Sequence, residues 1–228
     1  VDVVAAEGEG TMLLTGFESY GGRAINPAEQ VVRRLAGRET AGIRVEGHTL
    51  PVDYAELGPR IARVIEELRP RAVICLGLWP GTPLLRLERV AVNVADFEIP
   101  DNVGLMTRGP VVEGGADAYL STLPIYAIQD RLLEAGIPAR LSGSAGTFLC
   151  NALMYHALHA CAERAPEILC GFIHLPYLPE QVSALLLQMR EWAKVELHQR
   201  ADLASMALDM QVAAVRLAIE TTLESIGS

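Results

Sequence analysis

Arg71-Ala72-Val73-Ile74-Cys75-Leu76-Gly77-Leu78 is the stretch on which the fold turns. After Arg71 the run is continuously apolar, where a half-solvated strand would alternate. That pattern belongs to a strand covered on both faces, as in a parallel sheet between two helical layers. The flanking segments supply the helices. Tyr54 to Leu68 places Leu57, Ile61, Val64, Ile65 and Leu68 on one helical face. Leu123 to Ala135, stopped by Gly136, Thr147 to Glu163, and most of Pro179 to Glu224 also read as helix. Asn26-Pro27 opens another, with Asn as cap and Pro at the first helical position.

Between the helices lie further strand candidates: Met12 to Phe17, ending near the turn Gly21-Gly22, Arg44 to Val52, Leu87 to Phe97, Ile137 to Leu141 and Ile168 to Leu175. Pro100 to Gly115 is rich in loop signals. The alternation predicts one α/β domain with a mostly parallel sheet and helices on both faces. The first methionine is Met12, and residues 1–11 are expected to form a disordered leader, leaving 12–228 as a single domain.

Composition narrows the function. Half of the 228 residues are hydrophobic, and 28 acidic against 19 basic residues give a formal charge of −9. No Lys/Arg-rich run occurs, which argues against nucleic acid or an anionic membrane as partner. No apolar run reaches the length of a membrane span, and Val1 to Thr11 lacks the pattern of a signal peptide. A cytoplasmic location is the resulting expectation. The cysteines Cys75, Cys150, Cys161 and Cys170 form no CxxC pair, so neither a zinc site nor a thioredoxin-type motif has support. GxSxG, GxGxxG and P-loop patterns are absent.

Three residues attract attention. Cys150 follows the small-residue turn Ser144-Ala145-Gly146. With Thr147 as the expected cap, it falls in the first helical turn, where the backbone dipoles lower a thiol's pKa and free N–H groups can hold an oxyanion. A buried structural cysteine is the alternative. His174 ends the run Ile168 to Leu175, at the carboxyl end of a strand where α/β sheets bind ligands. It is either a base for Cys150 or a core histidine. Glu88 shares a strand face with Val90, Val92 and Val94, so it needs a partner. Orienting a histidine is one solution, and pairing with Arg86 is the other. His48, His156, His159 and His198 read as non-catalytic.

Several segments together resemble one family. Thr15-Gly16-Phe17-Glu18-Ser19-Tyr20-Gly21-Gly22 with Asn26-Pro27 is similar to the opening of the pyrrolidone carboxyl peptidases, also called pyroglutamyl peptidase I. Ser144 to Asn151 resembles their cysteine motif, and Gly171 to Gln181 their histidine motif. Glu88 to Asn93 and Ile99 to Asn102 fit between them, so the likeness runs from about Met12 to Thr222. The resemblance implies a three-layer α/β/α domain with a mixed sheet and a cysteine peptidase that removes N-terminal pyroglutamate. It implies no metal or other cofactor, peptide substrates as partners, and a homo-tetramer. Carried over by motif, Cys150 is the nucleophile, His174 the general base and acid, and Glu88 the orienter. Phe17, Tyr20 and Phe148 match the pocket aromatics, and Asn26 the loop asparagine.

Some positions depart from the family's pattern. Glu98 stands where an arginine usually precedes Ile-Pro-Asp-Asn. Pro80-Gly81-Thr82 replaces Gly-Gly-Arg, Leu78 a frequent glutamine, and Tyr20 a phenylalanine. The family arginine is associated with the oxyanion region, for which Arg86 or Arg108 are the candidate substitutes. The departures open a second reading, a weakly active or inactive relative that binds pyroglutamyl peptides. A nucleoside hydrolase or phosphorylase on a related fold would need a phosphate or ribose site, and no sequence feature supplies one.

Overall fold

The apolar run forms β4 (Ala72–Leu78), buried along its whole length at the centre of a seven-stranded sheet. The computed structural model describes residues 10–191 and 202–227. The strand order is β10 (Ala139–Ser142), β5 (Leu85–Glu88), β11 (Leu169–Leu175), β4, β1 (Thr11–Phe17), β3 (Ile43–Leu50) and β2 (Glu39–Thr40). β4, β1, β3 and β11 run parallel; β5 pairs antiparallel with β11 but parallel with β10, and β2 lies antiparallel at the edge. The sheet is thus mixed and mostly parallel.

Alternate residues of β4 serve opposite cores. Val73 and Cys75 pack in one layer with α2 (Tyr54–Leu68) and α4 (Leu149–Arg164). Ala72, Ile74 and Leu76 pack in the other with α1 (Pro27–Leu35), α3 (Ile125–Glu134) and α6 (Leu208–Ile226). α2 buries the face set by its apolar spacing, Leu57, Ile61, Val64 and Ile65. The expected helices after Pro179 are α5 (Pro179–Glu191) and α6. The part of that expectation between 192 and 201, including His198, lies outside the described residues, as do positions 1–9 of the expected leader. Thr11, assigned to that leader, instead opens β1, because its carbonyl accepts a 2.8 Å bond from Arg71 N at the start of β4.

One expected strand is divided. Leu87 to Phe97 is split among β5, β6 (Val90–Val92) and β7 (Ala95–Asp96). β6 leaves the main sheet to pair with β9 (Ala118–Leu120), and β7 pairs with β8 (Arg108–Gly109), a short strand inside the expected loop. The division begins at Arg89, whose N–H donates to Ser142 O (2.9 Å) and whose carbonyl accepts from Ser121 N (2.8 Å). Distant partners thus claim the two sides of one residue, and an alternating pattern carries no sign of them.

Candidate active site

The carboxyl ends of β1, β4 and β11 open into a cavity of about 470 Å³. Phe17 closes β1, Leu78 and Trp79 close β4, and His174 lies next to the end of β11; all four line it. Cys150 enters from the start of α4, Tyr20 and Asn26 from the loop after β1, and Asp96, Glu98 and Ile99 from the segment after β6. Of the expected catalytic and substrate-binding residues, Phe17, Tyr20, Asn26, Phe148, Cys150 and His174 line this one cavity, and Glu88 lies behind it, bonded to His174.

Strand register brings the polar groups together. His174 sits opposite Gly77 on β4 and opposite Arg86 on β5, while Glu88 sits opposite Phe172. All project from the sheet face covered by α4. His174 and Glu88 are both fully buried, with Nδ1 of the imidazole 2.8 Å from Glu88 Oε1. A carboxylate only accepts, so Nδ1 carries the proton and Nε2 holds the lone pair. Nε2 is buried and has no hydrogen-bond partner among the described residues. Both partners weighed for Glu88 are present, since the same Oε1 accepts from Arg86 Nε at 3.1 Å.

Gly77 makes room for the thiol. A Cβ added there would lie 2.8 Å from Cys150 Sγ and 2.8 Å from Phe172 Cζ. The sulfur therefore rests against the bare backbone of β4, beside the strand that carries His174. Cys150 is the second residue of α4, whose cap is Phe148 and not the expected Thr147. Thr147 is taken up elsewhere: its hydroxyl donates to Asp96 O (3.1 Å) and its carbonyl accepts from Asp96 N (3.0 Å). No side chain caps α4, and no acid stands in its first turn. The first amides of the helix are left without that partner, as an oxyanion would need.

The thiol's pKa moves against the expected lowering. Burial, then the charge of Glu88, pushes the Cys150 thiol up to about 12. Burial also lowers the imidazole of His174, against the opposing pull of Glu88. Both shifts disfavour a resting thiolate–imidazolium pair. Tyr20 is likewise pushed up to about 12, first by burial and then by Cys150, so its hydroxyl stays protonated.

Phe148 packs edge-on against Phe97 with ring centroids 4.5 Å apart and lies 6.5 Å from Tyr20. Asn26 lines the cavity, but its amide is engaged with the protein: Oδ1 accepts from Ala28 N (3.0 Å) and Nδ2 donates to Glu18 O (2.8 Å). It caps α1 and fixes the loop that carries Tyr20. Neither candidate for an oxyanion arginine reaches the cavity wall. Arg108 is exposed and pairs with Asp96 at 2.8 Å, and Arg86 is buried behind Trp79.

Sequence reasoning overlooked Trp79, Gly77 and Asn151. Asn151 is fully buried next to Cys150; its Oδ1 accepts from Val92 N (2.9 Å), and Nδ2 donates to Val92 O (2.9 Å) and Val94 O (3.0 Å). It ties β6 to the start of α4. Its signal was present in the sequence as an amide among the apolar residues of a buried helix.

Comparison with known proteins agrees with this architecture. The profile of the pyroglutamyl peptidase family matches residues 10–225. A pyrrolidone-carboxylate peptidase of Pyrococcus furiosus is 40% identical over 94% of this chain and 99% of its own length. One from Chromobacterium violaceum is 44% identical over 93% of this chain and 92% of its own. The crystal structure of the P. furiosus pyrrolidone carboxyl peptidase superposes with a TM-score of 0.87, at 39% identity, covering 95% of this chain and 99% of that one. With a family match across nearly its whole length and relatives near 40% identity, the chain belongs to the pyroglutamyl peptidase family.

Proposed function

We propose that this chain is a cysteine peptidase that removes N-terminal pyroglutamate from peptides, with Cys150 as nucleophile, His174 as general base and acid, and Glu88 as orienter. The observation that carries the reading is an imidazole fixed through Nδ1 by a buried carboxylate, with its lone-pair nitrogen unpartnered, in the cavity that also holds the thiol. The pyroglutamyl ring is a neutral lactam, and a largely apolar cavity with Phe17, Tyr20 and Phe148 in its wall suits it.

Nε2 of His174 takes the thiol proton as Sγ bonds to the carbonyl carbon of the pyroglutamyl–peptide amide. The oxygen of that carbonyl gains the negative charge and is held by amides at the start of α4. The imidazolium, steadied by Glu88, protonates the leaving amine as the C–N bond breaks, leaving a pyroglutamyl thioester. Water, deprotonated by His174, attacks the thioester; pyroglutamate departs and the thiol regains its proton.

The test is turnover of a pyroglutamyl amide. Wild type is expected to release the amine, and Cys150→Ala to lose all enzyme-dependent release. Thiol alkylation is expected to inactivate, and a chelator to have no effect. Equal rates for wild type and Cys150→Ala would overturn the reading. One observation favours the second reading, a weakly active binding relative: Glu98, in place of a cation, lines the same cavity. That reading predicts tight binding of pyroglutamyl peptides with slow turnover. A cytoplasmic location and a homo-tetramer belong to the proposal through family resemblance, and light scattering tests the latter. No helix among the described residues is long and apolar enough to cross a membrane.

A further inference from the structure

Arg86 is a cation that is only 9% exposed, set behind the catalytic wall. Its bonds reach separate parts of the site. Nε donates to Glu88 Oε1 at 3.1 Å, and Nη2 donates to Ser142 Oγ at 2.7 Å and to Ser144 O at 2.9 Å. Its guanidinium lies 3.6 Å from the ring centroid of Trp79. The indole in turn meets His174 edge-on, with centroids 5.0 Å apart and planes at 80°. It also runs beside Gly146, where a Cβ would come within 3.6 Å of Cζ3. One planar cation therefore touches the strand that carries Glu88, the turn leading into α4, and the aromatic wall beside the imidazole.

We propose that Arg86 is a positioning residue for the Cys150–His174 chemistry: it fixes the Glu88 carboxylate under the imidazole and ties the Ser142–Ser144 turn to that same carboxylate, with Trp79 as its cover. The inference rests on the peptidase reading above. Three features support it. Glu88 Oε1 accepts from both Arg86 and His174, so the guanidinium sets the angle at which the carboxylate meets Nδ1. Removing it would leave a buried carboxylate uncompensated. The Ser144 carbonyl lies five residues before Leu149, so its tether to Nη2 sets where the oxyanion-binding end of α4 stands relative to the imidazole. A lysine would restore charge but neither the planar fork nor the stack on Trp79.

Glu88 and Arg86 of β5 act directly on the His174 charge, and the titratable groups that share its cavity are Cys150 of α4, Tyr20 of the loop after β1, Asp96 of β7 and Glu98 of the segment that follows it. Arg86 opposes a charged imidazole, in the same direction as burial. Its loss should therefore raise the acid limb of kcat/KM.

The experiment compares Arg86→Gln, Arg86→Lys and wild type on a pyroglutamyl amide across pH. It adds proton NMR of the carboxylate-bonded Nδ1–H, which resonates far downfield. Arg86→Gln is expected to lower kcat by about 10²-fold, as a small misplacement of a reacting group does, with KM little changed. Its acid limb should move up and its downfield proton vanish. Arg86→Lys should keep the acid limb near that of wild type and still lose kcat. Should Arg86→Gln fail to fold, Trp79→Leu takes its place: it admits water to both guanidinium and imidazole, and its acid limb should also rise. Unchanged kcat and acid limb in Arg86→Gln, or the same limb shift in Gln and Lys variants, would overturn the proposal. If wild type shows no Cys150-dependent turnover, the peptidase reading fails, and the Nδ1–H signal still reports on Arg86.

Discussion

His174 and His156 are both held away from water, and both become weaker bases for it. Their surroundings otherwise differ. His174 sits near the end of β11, bound through Nδ1 to a carboxylate, with Nε2 unpartnered in the cavity wall. His156 lies in the middle of α4, its ring pressed so closely on Gly58 of α2 that a Cβ there would come within 2.6 Å of Cε1. Its neighbour His159 is bound to the Tyr119 hydroxyl at 2.9 Å and stacks on Tyr155 with ring centroids 6.1 Å apart. Burial alone makes a histidine reluctant to charge. A base needs in addition a group that fixes its tautomer and a proton donor beside the free nitrogen.

The change that breaks this contrast most severely is Glu88→Gln. A glutamine can donate to Nδ1 and so place the ring proton on Nε2, the nitrogen that is to accept the thiol proton. Loss of the correct tautomer is expected to cost about 10⁴-fold in kcat, as it does in other triads. The matching change in the other group, His159→Gln, should leave kcat unaltered. Steady-state kinetics on one substrate reads both. A modest loss for Glu88→Gln would mean that the carboxylate only pairs with Arg86.

The two imidazoles also separate by what pH does to them. In the proposed mechanism His174 must be neutral to accept the thiol proton, and burial holds its imidazole below the ordinary 6.5. Activity should therefore persist below pH 6.5 and fall only on further acidification. His156 is lowered to about 4, first by burial and then by His159. As pH falls through 6.5, the unfolded chain takes a proton that the folded chain refuses. Stability is therefore lost between pH 6.5 and about 4 and levels off below. A shift of this size amounts to roughly 3 kcal/mol. Urea unfolding of wild type and His156→Gln at pH 7 and pH 4 measures it, and equal pH dependence in the two proteins would assign the loss elsewhere.

The contrast also explains what could be read from the sequence. β4 was legible because both its faces are buried, and burial on both sides writes itself as an unbroken apolar run. Cys150 and His174 were legible as positions, one at a helix start and one near a strand end, before any partner was known. Their charge states were not. The expected drop in the thiol's pKa follows from the helix dipole alone, whereas the rise follows from cavity walls assembled from β1, β4, β11 and α4. The break at Arg89 and the stack of Arg86 on Trp79 were hidden for the same reason. Each depends on partners brought together by the sheet, and no local periodicity encodes them.

The smallest expected effect concerns Glu98. It is exposed on the cavity rim and makes no hydrogen bond or ion pair among the described residues. A negative charge there opposes the oxyanion, but water screens it. Across a water-filled cavity such a repulsion changes a rate by only about twofold. Glu98→Gln should therefore raise kcat about twofold at low ionic strength, with the gain vanishing as salt shortens the screening length. Glu98→Arg distinguishes the two readings of the site. If the amides of α4 suffice, the arginine adds little beyond the same electrostatic gain. If the native site lacks an oxyanion donor, supplying one should raise kcat by about 10²-fold or more. The second outcome would make the native chain the weakly active relative, and would place the deficit at residue 98 and not in the buried Glu88–His174 pair.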